Sequence, residues 1–540
     1  MISTGSKTPI LVFAVGGRIG SGCSFVRDWL RHSLTTYGYT VEVIDVTKVF
    51  LEQVEGFLGS DNTDVIDEES GALPAKARRV RQLQENGNRL RSRLGNEIIA
   101  ALCVNEVIKP HIEEYNVIKK EVRQAYIIDS LKHPDEVRFL RKVFQDAFCM
   151  VGVVASDRVR TKRLRERKGF DDETFKFLSN IDANESNNEH GQRAIDAVTE
   201  ADYFFANDYA TKFEIQREAD RLTRLIFGIE VESPRQDEVA MQVAYKESKR
   251  SACLSRQVGA AIFDANHRIL GVGCNDVPQF GGGLYNAESS QDERCHSRGA
   301  KCYNDEEKEI IVTELVDALT QSGLLIGPVD RPKLEKLLRQ SRIKNLIEFS
   351  RAVHAEMDSI LNVARAGHSG LVGSTLFCTT FPCHNCAKHI IDAGITRVVY
   401  LEPYEKSLAR KLHSDAINDP DEERRDDKVS FDLYGGVAPR RFGRFFGMQE
   451  DKPRKDRGRF VDQDRWREGL FPIAAPEAET IWSRVQRVAM EIELHVERVG
   501  MDTGTDSELA SPPTCPVELS NPKAVKSASS EPERDVSDGP

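Results

Sequence analysis

The chain has no run of about 18 consecutive apolar residues, and its opening residues lack the basic, apolar and small-residue succession of a secretory leader. A membrane span, a membrane partner and a signal peptide are therefore not expected, and the cytoplasm is the expected compartment. Cysteine is thin on the ground: eleven in 540 residues, scattered rather than set in a dense framework. That excludes a disulfide-stapled secreted module and predicts reduced thiols. An excess of basic charge is also missing, with 75 Lys and Arg against 86 Asp and Glu and a net charge of -11. A protein that coats nucleic acid needs a basic footprint for phosphates, so this balance argues against one, whereas a single nucleotide needs only a few local cations. No internal repeat is evident. The length exceeds what one hydrophobic core supports, so two or three domains are expected.

What is there is concentrated between His354 and Cys386. His354-Ala355-Glu356 is followed, after an apolar run, by Pro382-Cys383-His384-Asn385-Cys386. His354, Cys383 and Cys386 are three zinc ligands, and a catalytic zinc keeps its fourth tetrahedral position open. Bound Zn2+ lowers the pKa of a water to near ~7, and Glu356 is the expected catalytic proton carrier. Residues 351 to 366 have helical apolar spacing, with His354 and Glu356 in the opening turn. Thr375 to Thr380 is a short strand, Pro382 starts a second helix that favours thiolate charge at its N-terminus, and Arg397 to Leu401 is the next strand. A structural zinc wants a fourth protein ligand, and a redox C-x-x-C leaves His354 and Glu356 without a use. The combined pattern is the signature of zinc nucleobase deaminases. His384 and His389 are expected at the surface or behind the ligands.

Further upstream, Pro9 to Val15 is an apolar run of buried-strand type. It leads into a glycine-rich loop and then an amphipathic helix from Phe25, the setting of a phosphate-binding P-loop. The match is Gly17-x4-Gly22-x-Ser24, with Gly20, Ser21 and Cys23 inside it. Cys23 stands where the pattern asks for lysine, which favours a binding or regulatory role, with a regulatory nucleotide as ligand, over phosphoryl transfer. An ordinary glycine turn is the competing reading. Strands at 41–46, 125–129, 149–155 and 201–206, with helices at 76–108 and 212–227, predict a parallel α/β domain. Asp129 closes one strand and stands either near nucleotide-bound magnesium or in a loop cap. Arg158, Arg160, Arg163, Arg165 and Arg167 form either a lid over phosphates or a solvated helix face.

The expected fold class is α/β: an N-terminal P-loop NTPase-like parallel-sheet domain, then a cytidine-deaminase-like α/β/α domain. The expected boundaries are a flexible leader at 1–8, the first domain at 9–230 and the deaminase domain at 235–405 with an insertion at 281–342. A C-terminal extension at 406–500, with a last helix at 481–499, and a disordered tail at 502–540 complete the chain. Within the second domain a helix is expected at 237–251 and strands at 258–263 and 268–273, followed by Asn275 and Pro278. Asn275 is placed either to bond a sugar hydroxyl or as a turn residue. Cys295, His296 and Cys302 offer an irregularly spaced candidate for a second metal.

The second half resembles the deoxycytidylate deaminase family through Ser255-Arg256-Gln257-Val258-Gly259-Ala260, Gly273-x-Asn275-x-x-Pro278, His354-Ala355-Glu356 and Pro382-Cys383-x-x-Cys386. The resemblance implies deamination of dCMP at zinc, Asn275 on the deoxyribose and Arg256 in the segment that holds the phosphate end. The fusion to a P-loop domain, with Ile128-Asp129-Ser130-Leu131-Lys132-His133-Pro134, is similar to bacterial anti-phage dCTP deaminases. That implies depletion of dCTP during infection, control by deoxynucleotides or in some members by a small RNA, and a homo-oligomer. Competing functions are a housekeeping dCMP deaminase, a polynucleotide cytosine or adenosine deaminase, and a nucleotide sensor without catalysis.

Overall fold

A computed structural model describes residues 10–54, 73–112, 123–183, 188–208, 211–228, 231–323, 330–404, 407–419, 422, 424–448, 455–460, 481, 483–487 and 490. The expected leader and tail, and most of the helix expected at 481–499, lie outside these residues. The first apolar run forms β1 (Ile10–Gly17), buried along its whole length. Both faces must be apolar because both are covered: Leu11, Phe13 and Val15 join one buried cluster, Val12 and Ala14 the other. β2 (Thr40–Asp45), β3 (Gln124–Leu131), β4 (Phe148–Val154) and β5 (Tyr203–Ala206) complete a parallel sheet in the order β2-β3-β1-β4-β5.

Among the described residues, the helices that connect or cover these strands include α1 (Cys23–Thr36), α2 (Ala75–Leu94), α3 (Pro134–Phe144), α4 (Asp157–Lys168), α5 (Asp172–Ala183), α6 (Ala194–Thr199) and α7 (Lys212–Phe227). The single helix expected over 76–108 breaks at Gly95, whose φ of 97° is open to glycine but strained for other residues. The chain resumes as Ile98–Leu102 and a wider π turn at Cys103–Ile108. At α7, Thr211 and Glu214 cap the start reciprocally and Gly228 ends it in the left-handed conformation.

The second half begins with α8 (Gln236–Ser248) and a hairpin of β6 (Gly259–Phe263) and β7 (Ile269–Cys274). Two helices, α9 (Tyr303–Gln321) and α10 (Arg331–Gln340), follow. α10 lies in the stretch read as a polar insertion, and it buries no residue. Then come α11 (Ala355–Arg365), β8 (Thr375–Thr380), α12 (His384–Asp392), β9 (Arg397–Glu402) and β10 (Ser430–Leu433), with sheet order β10-β9-β8-β6-β7. β8, β9 and β10 run parallel, so the C-terminal ends of β8 and β9 share one edge. Among the described residues no helix is long and apolar enough to cross a membrane.

Glycine at two positions sets how closely helices approach this sheet. A Cβ on Gly273 would stand 2.4 Å from Ser359 N and 2.5 Å from Ala355 O of α11. A Cβ on Gly259 would stand 2.0 Å from Ala244 O of α8. The two halves also interlock. Shortly after β10, β11 (Gly436–Val437) adds to the first sheet antiparallel to β5. Behind it Arg141, Arg440 and Arg441 converge on Asp202, which is 0% exposed. Burial opposes its charge, but the three guanidinium groups outweigh it and hold the carboxyl below its ordinary pKa.

Gly273→Ala is expected to push α11 off the sheet and cost about 1–3 kcal/mol, read as a lower denaturation midpoint. Asp202→Asn, which removes the buried carboxylate that the three part-exposed arginines share, is expected to cost about 1–3 kcal/mol at neutral pH. Because the folded pKa of Asp202 is depressed, its stabilisation is present above the unfolded value of about 3.9 and is lost as pH falls through the folded value. The gap between parent and Asp202→Asn should therefore narrow only in acid.

Candidate active site

The site is built where two helices begin. His354 is the N-cap of α11, with extended backbone, rather than part of its first turn, and Glu356 lies one residue inside the helix at 4% exposure. Cys383 is the N-cap of α12, its sulfur accepting from Cys386 N at 3.4 Å. The close fit of α11 against Gly273 and the end of β8 at Thr380 bring the two starts together. His354 Nδ1 stands 3.3 Å from Cys383 Sγ and 3.4 Å from Cys386 Sγ, and the three donor atoms lie within 4.8 Å of one another. A tetrahedral zinc with bonds of about 2.3 Å to sulfur and 2.0 Å to nitrogen requires a nitrogen–sulfur separation of roughly 3.5 Å. The donor set and its spacing fit zinc with one position left open.

Electrostatics argue the same way. Hydrogen bonds from Cys386 and His354 pull the Cys383 thiol far below its ordinary value despite burial, while Cys386 is pushed well above it. The hydrogen bond to Cys383 raises His354 to about 9. A divalent ion held by these three side chains would require both sulfurs deprotonated and the ring neutral. Burial raises the pKa of Glu356, opposed by His354. A carboxyl of raised pKa beside an open metal position is suited to take up and release a proton.

Arg256 is half exposed, with Nη2 3.7 Å from Glu402 Oε2 and its guanidinium 5.9 Å from the centre of the Tyr404 ring. Tyr404 feels the charge of Cys383, so this cluster borders the metal ligands. Asn275, 7% exposed, directs its amide at the backbone of residues 256–258. Glu402 and Tyr404 were not singled out from sequence; the available signal was their place just after a strand parallel to β8, at the edge where α/β proteins bind ligands. Cys295, His296 and Cys302 form no metal-holding group among the described residues: His296 Nε2 faces Asp292 at 3.3 Å and Cys302 Sγ lies 3.5 Å from Ser255 Oγ. His384 and His389 are partly buried and outside the donor group.

In the first half, Gly17 closes β1, Gly20 and Gly22 have φ of 85° and 95°, and Cys23 and Ser24 open α1. Ser21 Oγ lies 3.4 Å from Cys23 Sγ, and burial pushes that thiol up to about 11, so it carries no charge. Lys132 Nζ, from the end of β3, reaches Gly17 O at 2.7 Å and Asp182 at 2.7 Å. Arg160 and Arg163 donate to the loop carbonyls of Ile19 and Ser21, whereas Arg165 and Arg167 are exposed. Asp129 pairs with Arg27 at 2.5 Å.

A mixed sheet with helices on both faces, carrying a His-Cys-Cys zinc site and a buried glutamate, defines a hydrolytic deaminase of the cytidine deaminase type. Residues 234–402 match the family model described as "Cytidine and deoxycytidylate deaminase zinc-binding region". The deoxycytidylate deaminase of Enterobacteria phage T4 is 32% identical over 167 residues, 31% of this chain and 78% of that protein. That of Homo sapiens is 24% identical over 164 residues, 30% of this chain and 63% of that protein. The crystal structure of dCMP deaminase from the cyanophage S-TIM5 with dCMP and dUMP aligns with 38% of this chain and 99% of its own, at 20% identity and a TM-score of 0.23. The chain belongs to the deoxycytidylate deaminase family.

His354→Ala and Cys386→Ala are expected to lower bound zinc below one per chain by elemental analysis, whereas Glu356→Ala is expected to keep it. Zinc loss from Glu356→Ala would show that the glutamate is a ligand rather than a proton carrier.

Proposed function

We propose that the chain hydrolytically deaminates a deoxycytidine nucleotide, dCTP or dCMP, to the uracil nucleotide. The observation that carries this reading is the buried carboxyl of Glu356 beside a three-ligand zinc site whose border holds an exposed arginine. Zinc, when bound through His354, Cys383 and Cys386, lowers the pKa of a water and so makes a nucleophile available near neutral pH. Glu356 accepts the proton of the water whose oxygen adds to C4 of the cytosine and delivers it to N3. It then carries a proton to the exocyclic amine as the C4–N bond breaks, so that ammonia leaves and a C4 carbonyl remains. Arg256 offers its guanidinium to the 5′-phosphate end. Asn275 stands at the sugar side, with one amide hydrogen beyond those it spends on the backbone.

The reading extends to biology through architecture. A strand, glycine-rich loop and helix ahead of a deaminase half support a regulatory phosphate-bearing ligand at Gly17, Gly20, Ser21, Gly22, Cys23 and Ser24, and a role in draining dCTP during phage infection. The division into a domain at 9–230 and one at 235–405, a homo-oligomeric state, cytoplasmic location and control by a small RNA belong to the same proposal. Ammonia release from dCTP, dCMP, CTP, cytidine and single-stranded DNA, offered side by side to zinc-loaded protein, tests it. Turnover of dCTP is expected; turnover of dCMP alone would point to pyrimidine supply, and turnover of the polynucleotide alone would overturn the reading. Glu356→Ala is expected to lose about 10²–10⁴-fold in rate.

A further inference from the structure

The glycine-rich loop leaves the first sheet where two neighbouring parallel strands send their chains to opposite faces. α1, after β1, packs Val26, Leu30 and Leu34 on one face, and α3, after β3, packs Val137 and Leu140 on the other. The crevice outside such strand ends is where open α/β sheets take ligands. Four cations, Arg18, Lys132, Arg160 and Arg163, gather there. Lys132 Nζ donates to Gly17 O at 2.7 Å, Arg160 Nε to Ile19 O at 2.8 Å and Arg163 Nη1 to Ser21 O at 2.9 Å. Arg18 and Arg160 share the hydroxyl of Ser179 at 3.1 and 2.5 Å. The carboxylates that meet this group are the exposed Asp157 and the buried Asp182. Arg163 makes no ion pair among the described residues and donates only to oxygens of the loop and of Asn207. Burial and the charge of Arg18 hold the Arg160 guanidinium down at about 10. Positive charge is thus crowded around backbone that also offers N–H groups, which is the chemistry of a phosphate site.

Asp182, on α5 and 2% exposed, stands as that anion would stand. Its Oδ2 accepts from Ile19 N at 2.6 Å and its Oδ1 meets Lys132 Nζ at 2.7 Å, so one carboxylate takes a loop N–H and the loop's lysine together. Those are the two kinds of donor with which a glycine-rich loop holds a phosphate. Among the described residues, none of α5 belongs to the apolar clusters on the sheet faces. Its Phe175 and Leu178 pack instead with Ala77, Leu164 and Phe170 in a small cluster set apart from them, and Ser179 and Asp182 reach the loop and its arginines. We propose that Asp182 is a built-in competitor for phosphate at this loop: the phosphates of a polyphosphate ligand displace its carboxylate from Ile19 N and Lys132 Nζ, and α5 moves off the loop with it. The proposal rests on the regulatory reading of the loop and adds to it the cation, Lys132, and the contact that sets its affinity. A ligand that must displace Asp182 binds more weakly in proportion to the fraction of chains whose cradle is free. Charge favours the exchange, because a triphosphate brings more negative charge to these cations than one carboxylate does.

The test titrates the zinc-loaded chain with inorganic tripolyphosphate, with and without magnesium, by calorimetry. Asp182→Asn keeps an acceptor for Ile19 N and removes the charge that holds Lys132, and it is expected to bind about tenfold tighter than the parent. Adding Lys132→Ala to Asp182→Asn is expected to abolish that gain. A gain that survives lies elsewhere on the protein and overturns the proposal. Affinity unchanged in Asp182→Asn, or weakened when magnesium is present, as for a carboxylate that holds the cation, overturns the proposal while leaving phosphate binding at the loop in place. No binding by the parent or by either variant overturns the regulatory reading of the loop as well. Amide hydrogen exchange on the parent needs no variant to fold. With tripolyphosphate added, residues 17–24 are expected to exchange more slowly and residues 172–183 faster, whereas slower exchange in both segments would leave Asp182 in place and overturn the displacement.

Discussion

One imidazole and two sulfurs, with their donor atoms within 4.8 Å of one another, compete for protons in a space that water barely enters. Burial alone would neutralise all three and the nearby Glu356 as well. A divalent cation held there would reverse that order, because its charge would favour both thiolates. The second sheet is arranged around that requirement. α11 brings His354 and Glu356 to the site because Gly273 lets its backbone touch the sheet, and α12, packed on the same face, brings both cysteines. Ligation and folding of this half are therefore coupled: the geometry that closes the core is the geometry that offers the metal its donors.

Features carried by neighbours in sequence were legible, and features carried by distant partners were not. The H-x-E and P-C-x-x-C segments are local, and each falls at a helix start, so their spacing alone named the donors. Strands β1 to β9 announced themselves through apolar runs, with ends displaced by one or two residues. The break after Leu94 was masked because the helical pattern resumes immediately beyond Gly95. β11 is two residues long and pairs with a strand more than two hundred positions earlier, so no periodicity could reveal it. The side chain of Asn275 presented the same difficulty on a smaller scale: its type allowed a sugar contact or a turn, and its bonds to Arg256 O and Val258 N came to light only in the folded chain.

The glycine-rich loop shows how charge can be supplied from elsewhere in a fold. Cys23 is neutral and contributes none. The register of β1 against β3 slips between Val15 and Gly16, opposite Ser130, whose φ of 72° is unusual for a residue with a side chain. The slip turns the end of β3 so that Lys132 reaches the carbonyl of Gly17. Asp182 meets that ammonium and also accepts from Ile19 N at 2.6 Å. The loop therefore has a lysine beside it after all, contributed by another strand, and a carboxylate that balances it.

The junction between the halves limits how either can move. Glu238, 1% exposed, accepts from both ends of the Arg221 guanidinium at 2.8 Å, from Arg235 N at 2.7 Å and from Val437 N at 2.8 Å. One carboxylate thus fastens α7, the start of α8 and β11. β10 belongs to the deaminase sheet and β11 to the first sheet, with only Tyr434 and Gly435 between them. A link of that length spans roughly 10 Å at full extension, at about 3.3–3.6 Å per residue. The edge of one sheet cannot separate from the edge of the other without breaking a strand pair or stripping Glu238 of its partners, which leaves buried charge unpaired. β5, β11, β10 and β9 therefore form a continuous packed and hydrogen-bonded stretch rather than two sheets joined by a linker. β9 ends at Glu402, beside Arg256.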